Sequence, residues 1–225
     1  MLLALGLALA IFMGSTLLLL LLFGGDDSDD FLSDSTFGGI PAALWIVAVQ
    51  QIIFVFAAWR FSLRKYRLDI RALGFLRAEG WAPYLQAFGG WVLTLFAIVF
   101  WQLIIDSLGI DSLTPDNNVD EVIDFGGNFF TTLLVVGLLG PVAEEIFFRG
   151  FALAGLRRRF GDRAALILTA ALFAVFHIEP TIYVPIFFFG IVLGWIYLKT
   201  NSLWPSIFIH VIHNSVILSI TIFAE

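Results

Sequence analysis

Apolar residues fall in long blocks along this chain. Seven blocks reach or approach membrane-spanning length, at residues 2–23, 38–59, 81–105, 127–156, 164–178, 181–198 and 203–223. A helix needs about 20 residues to cross about 30 Å of hydrocarbon. The pattern therefore predicts an all-α integral membrane protein, a polytopic helical bundle of about seven transmembrane helices. The fifth and sixth blocks are short, and Pro180 and Pro185 fall near their junction. Tilt, a break or extension by flanking residues is expected there. The first block lacks a basic leader and ends at Gly24–Asp30 without a small-residue cleavage site. It reads as a retained helix, not a cleaved signal.

Composition agrees. Of the 225 residues, 60% are hydrophobic and 13% charged, where a soluble domain carries about a quarter charged residues; mean hydropathy is +0.97. There is no cysteine, which excludes disulfide and thiolate chemistry. A net charge of -6 gives no nucleic-acid footprint; the expected surroundings are the lipid bilayer. The distribution of charge says more than its sum. Residues 60–80 hold six Lys and Arg, residues 157–163 hold four, and Lys199 follows the sixth block. Residues 24–36 and 106–126 hold acids and neither Lys nor Arg. With seven spans and a cytoplasmic N-terminus, every basic loop lies in the cytoplasm, and Arg149 sits within a helix approaching it. That satisfies the positive-inside rule and places the acidic loops and the C-terminus outside. The expectation is a plasma-membrane protein, prokaryotic from its compact size.

The chain shows no internal repeat and no glycine-rich phosphate loop. The acidic segment 24–36 lacks the ligand spacing of a calcium loop. Residues 64–79 read as a short amphipathic surface helix presenting Leu68, Ile70, Leu73, Phe75 and Leu76 to the membrane interface. Residues 1–126 read as N-terminal helices and loops, and the functional interest lies in residues 127–223, because there the polar groups enter the spans.

Ionised groups inside lipid are costly and usually functional. In "EEIFFR", Glu145 and Arg149 are four apart and share a helix face. Glu144 is turned about 100° from Glu145, so it points elsewhere and is the carboxylate suited to general acid or base work. The bland reading of this cluster is a salt bridge that locks helices together. In "FAVFHIEP", His177 lies deep in the fifth block; a lone histidine there is usually an interhelical hydrogen-bond donor. In "WPSIFIHVIHNS", His210 and Asn214 are four apart on one face, and His213 is offset by about 60°. All three histidines fall in spans, which points to one polar cavity. A glutamate, two histidines and a donor amide make a hydrolytic set: a base activates water and donors hold the oxyanion.

These stretches match EExxxR at Glu144–Arg149, FxxxH at Phe173–His177 and HxxxN at His210–Asn214, in that order on successive hydrophobic helices. The triplet resembles the CPBP family of intramembrane proteases, which includes type II CAAX prenyl endopeptidases and bacteriocin-processing or immunity proteins. The resemblance covers about residues 127–223. It implies a membrane-embedded peptidase acting on a peptide or protein substrate. Glu144 would be the general base with His177, His210 and Asn214 the oxyanion hole, and Glu145 and Arg149 supporting groups. Phe173 would pack, and His213 matches no motif position. The family is often classed as metalloprotease. Glu144, His177 and His210 are the alternative ligands of a His2Glu zinc site, although HExxH is absent; a glutamate-activated water without tightly bound metal is the favoured reading. Alternatives from other classes are a transporter or proton-coupled carrier using the Glu and His residues as a relay, and a noncatalytic immunity protein of the same fold. The carrier lacks a paired half-helix signature.

Overall fold

The structure, a computed structural model, describes residues 6, 10, 14, 36–37, 40–110, 128–177 and 180–223. The first apolar block apart from residues 6, 10 and 14, the acidic segment 24–36 apart from residue 36, residues 111–126 of the second acidic segment, and Glu179 lie outside them. The described chain is built from helices, with one two-residue antiparallel bridge between β1 (Thr36–Phe37) and β2 (Ile40–Pro41). The helices are α1 (Ala42–Ala58), α2 (Ala82–Leu108), α3 (Phe129–Thr132), α4 (Gly140–Glu145), α5 (Ala154–Val175), α6 (Tyr183–Thr200) and α7 (Trp204–Phe223). Wider π-wound turns follow α1 at Trp59–Arg64 and link α3, α4 and α5 at Leu133–Leu139 and Ile146–Leu153.

Among the described residues, four helical stretches are long and apolar enough to cross a membrane: Ala43–Arg64, Ala82–Leu108, Phe129–Val175 and Tyr183–Thr200. A shorter apolar helix covers Trp204–Ile220. The 47-residue stretch contains two of the expected spans. They divide at Gly161, whose φ of 78° and ψ of 169° interrupt the helix. Glycine holds this conformation without the steric cost a Cβ would bring. On α2, Leu93, Phe96, Val99, Phe100 and Leu103 are all exposed. A contiguous apolar face of this kind is what lipid covers. The protein is an all-α integral membrane protein.

The described residues form two compact units. The first comprises Met1–Leu68, Asn118–Phe147 and Val211–Glu225; the second comprises Asp69–Asn117 and Phe148–His210. In the first, α1 packs on α4 and on the π-wound turns before it. Phe54 stacks on Phe147 with ring centroids 4.6 Å apart. In the second, α6 is the central helix and packs on both α5 and α2. Small residues let these backbones approach. A Cβ on Gly190 of α6 would lie 3.2 Å from the Ala170 Cβ and 3.3 Å from the Phe173 ring.

One expected element is not formed. Residues 64–79 do not make a continuous amphipathic helix. Arg67 has φ +52°, and Asp69 caps a separate 3-10 turn, Ile70–Leu73, by accepting the Arg71 N–H at 2.9 Å. Gly74 ends that turn at φ +99°. A short aspartate side chain competes with helical bonding in this way. Of the five apolar residues, Leu73 turns inward and Leu68, Ile70 and Leu76 remain exposed.

Gly190→Val should lower the unfolding temperature in detergent, because overpacking a filled interface costs about 1–3 kcal/mol. Gly89→Val is the control, since nothing lies within 4 Å of a Cβ there. Equal losses in the two variants would show that the α5–α6 contact is not the cause.

Candidate active site

In the first unit the site begins with a proline. The turns Leu133–Leu139 are π-wound, and the Gly140 N–H bonds to the Val135 carbonyl five residues back. The next donor in that register, for the Val136 carbonyl, would be residue 141. That residue is Pro141, which has no N–H. The Asn214 side chain takes this place: its Nδ2 donates to the Val136 carbonyl at 3.0 Å. A carboxamide nitrogen carries two hydrogens, so one can be spent on fixing the side chain and the second on a ligand. Gly137 supports the same approach, since a Cβ there would come within 3.3 Å of the Ser215 hydroxyl and 2.9 Å of a Leu133 methyl.

The two glutamates of α4 differ in burial. Glu145 is fully buried, at 0% exposure, and Glu144 is half-buried. Beyond Glu145 the helix is π-wound through Leu153. Beside Glu144 stands Gln51 of α1. The Gln51 Nε2 and the Glu144 Oε1 lie 3.6 and 3.9 Å from the point where a Gly140 Cβ would sit. Gln51 also lines an apolar cavity of about 530 Å³ with Ile52, Val55, Trp59, Leu139 and Ala143. Its Oε1 is buried and accepts no hydrogen bond from the described residues. His213 is buried in this unit.

In the second unit an aromatic ring organises the polar groups. Phe173 is 0% exposed. Its ring centroid lies 4.7 Å from that of His177 and 5.6 Å from that of His210, both edge-on. The Arg149 guanidinium sits over the same ring at 4.5 Å from its centroid and donates through Nη2 to the Gly190 carbonyl at 3.2 Å. A cation over a desolvated ring face is attracted by about 2 kcal/mol or more. Arg149 is 1% exposed, so this contact and the carbonyl help replace its hydration. Phe189 closes the other side of His210 with centroids 5.4 Å apart.

The histidines differ in how they are held. His177 Nδ1 lies 2.8 Å from the Phe173 carbonyl. A carbonyl can only accept, so Nδ1 carries the hydrogen. In the neutral ring Nε2 is then the acceptor, the state suited to taking a proton from water. His210 is gripped between two aromatic rings and is 1% exposed.

Each predicted site residue thus has a place. The first unit carries Glu144, Glu145 and Asn214; the second carries Arg149, His177 and His210. Two residues gain a role that their sequence context understated. Phe173 is packing, as expected, but it touches Arg149, His177 and His210 at once. Gln51 was not singled out from the sequence, although a glutamine pair inside an apolar block is itself a signal. Among the described residues, no group of three His, Cys, Asp or Glu side chains is found that could hold a metal ion.

Comparison with known families gives one finding. Residues 126–216 match the family described as type II CAAX prenyl endopeptidase Rce1-like. The matched segment contains all three motifs, from Glu144 to Asn214, and leaves the N-terminal helices outside it. Neither the comparison with curated proteins nor that with solved structures gives a match. At family level the match describes an intramembrane CAAX-type protease, hence a membrane-embedded enzyme acting on a peptide or protein. Residues 126–216 of this chain are thus similar to the Rce1-like family, and the three motifs within them resemble the CPBP family.

Proposed function

We propose that this protein is an intramembrane endopeptidase in which Glu144 activates a water molecule for attack on a peptide carbonyl. His177 works with Glu144 as the second proton-handling group, through Nε2. His210 and Asn214 donate to the oxyanion of the tetrahedral intermediate. The proton taken from water passes to the leaving amine as the C–N bond breaks, so the reaction closes with the base regenerated. The observation that carries this reading is the Asn214–Val136 hydrogen bond. It directs a carboxamide by using a carbonyl that Pro141 leaves without its backbone donor, and a pre-set donor is what oxyanion stabilisation needs. Gln51 is placed to hold the same water or the substrate backbone beside Glu144. Glu145 and Arg149, both fully buried, fix the helix and keep Glu144 in register. The basic loops lie in the cytoplasm and the C-terminus outside, in a prokaryotic plasma membrane, as the positive-inside pattern supports.

The test is a comparison of new peptide termini in native membranes expressing wild type or Glu144→Gln. Wild type should generate termini that the variant does not; unchanged cleavage by Glu144→Gln would remove the general base. Glu144→Gln should unfold near the wild-type temperature. Glu145→Gln should be destabilised by about 1–3 kcal/mol, because the amide leaves the partners of a fully buried carboxylate unmatched. Equal stability of the two variants would remove the division of roles.

Asn214→Ala should slow cleavage by about 10²–10³, the usual loss of an oxyanion donor. His177→Ala and His210→Ala should be inactive, whereas His213→Ala, outside the set, should keep substantial activity. Protein treated with a strong chelator should remain active. Loss of cleavage restored by stoichiometric zinc would instead make His177 and His210 ligands.

A further inference from the structure

We infer that the second unit carries a binding pocket for a phosphate ester, separate from the proposed peptidase residues. A cavity of about 410 Å³ is lined by Arg71, Arg157 and Arg158 together with Leu76, Tyr197, Asn201 and small residues. Two basic segments that are far apart in sequence, 60–80 and 157–163, meet here.

The walls are built, not loose. The Leu203 N–H bonds to the Gly74 carbonyl at 2.8 Å, and the Ser202 hydroxyl to the Leu76 carbonyl at 2.5 Å. Gly150 lets the Leu73 backbone in, since a Cβ there would lie 2.7 Å from the Leu73 oxygen. The turn bearing Arg71 is therefore tied down on several sides. Across the cavity, Arg157 is held in place. Its Nε and Nη2 donate to the two Asp162 carboxylate oxygens at 3.0 and 3.1 Å, and its Nη1 to Asn201 Oδ1 at 3.0 Å.

Charge then decides the ligand. Asp162 balances Arg157. Asp69 binds the Arg71 backbone N–H, and it is not among the lining residues. The Arg71 and Arg158 guanidinium groups have no carboxylate partner among the described residues. The α6 C-terminus ends here at Asn201 and contributes about half a negative charge, which does not cancel two full cations. Arginine forks match phosphate oxygens in pairs.

The rest of the lining is apolar, with Leu76, Ala72 and Ala154 beside the Tyr197 ring. The cavity lies where α6 ends and beside the Arg157–Arg159 run, so it sits at headgroup depth, where basic pockets hold anionic lipid. A phosphate with an apolar ester fits both halves. The same phosphate chemistry could come from a phospholipid headgroup or from a free phosphate.

The test uses purified full-length protein in neutral detergent and does not depend on peptidase activity. Phosphatidylglycerol, phosphatidylcholine and inorganic phosphate are titrated separately, with bound lipid counted by native mass spectrometry and phosphate by calorimetry. The expected result is saturable binding of phosphatidylglycerol at one per chain, weaker for phosphatidylcholine, and about tenfold or more weaker in Arg71→Gln/Arg158→Gln, since charge-assisted contacts are lost. Arg67→Gln/Arg163→Gln, which removes two basic residues outside the lining, should bind like wild type. Binding of inorganic phosphate alone would assign the site to a free phosphate. If neither phosphate source binds, or if both double variants lose affinity equally, the pocket is only part of a diffuse basic surface and the inference fails. If the Arg71/Arg158 variant does not fold, Arg158→Lys serves instead. It keeps the charge and loses the fork, and it should bind at least severalfold more weakly than wild type; unaltered binding would overturn the inference.

Discussion

Inside a bilayer a polar group has no water to fall back on, so each backbone or side-chain group must be met by another part of the protein. That requirement links Pro141 to Asn214. A proline in a helix removes one N–H, and the π-wound register before it makes the Val136 carbonyl the group that loses its donor. Asn214 meets that carbonyl. A backbone irregularity on one helix thereby sets the direction of a side chain on another. π-turns within α-helices often mark functional positions, and here the reason is visible in the hydrogen bonds.

The same constraint explains the second unit. A guanidinium at 1% exposure needs substitutes for its hydration. The Gly190 carbonyl and the faces of Phe173 and Phe148 supply part of them. Gly190 serves twice, because its missing side chain also lets α6 close on Ala170 and Phe173. Phe173 in turn meets His177 and His210 edge-on, so the positions of both imidazoles are coupled to the packing of one ring. Core rings of this kind pack at crystal-like density, which makes them better positioning devices than flexible polar side chains.

At the basic end of the second unit the logic reverses. Arg157 spends its donors on Asp162 and Asn201, while Arg71 and Arg158 keep theirs. Positive charge that only satisfied topology would be free to spread over the surface. Here it converges on one cavity whose walls are fastened by backbone hydrogen bonds.

Much of this could be read from the chain alone. Membrane residence, helical class and the three motifs are properties of composition and spacing, because a span must be apolar along its length and same-face residues recur every three or four positions. Glu144, His177, His210 and Asn214 stood out for the same reason: polar groups are conspicuous where every neighbour is apolar. Three things depended on tertiary structure. The helix expected at 64–79 gave way to an Asp69-capped turn, a local competition that periodicity does not register. The loop expected at 157–163 is reduced to a single break, and only the positive φ of Gly161 located it. The partners of Phe173, Gln51 and Arg71 lie on segments distant in sequence, and periodicity carries no information about which distant faces meet. Sequence by itself determined which groups are buried in lipid and the order in which they come. Only folding decided which group satisfies which, because hydrogen-bond partners, ring contacts and pocket walls are set by the packing of whole helices.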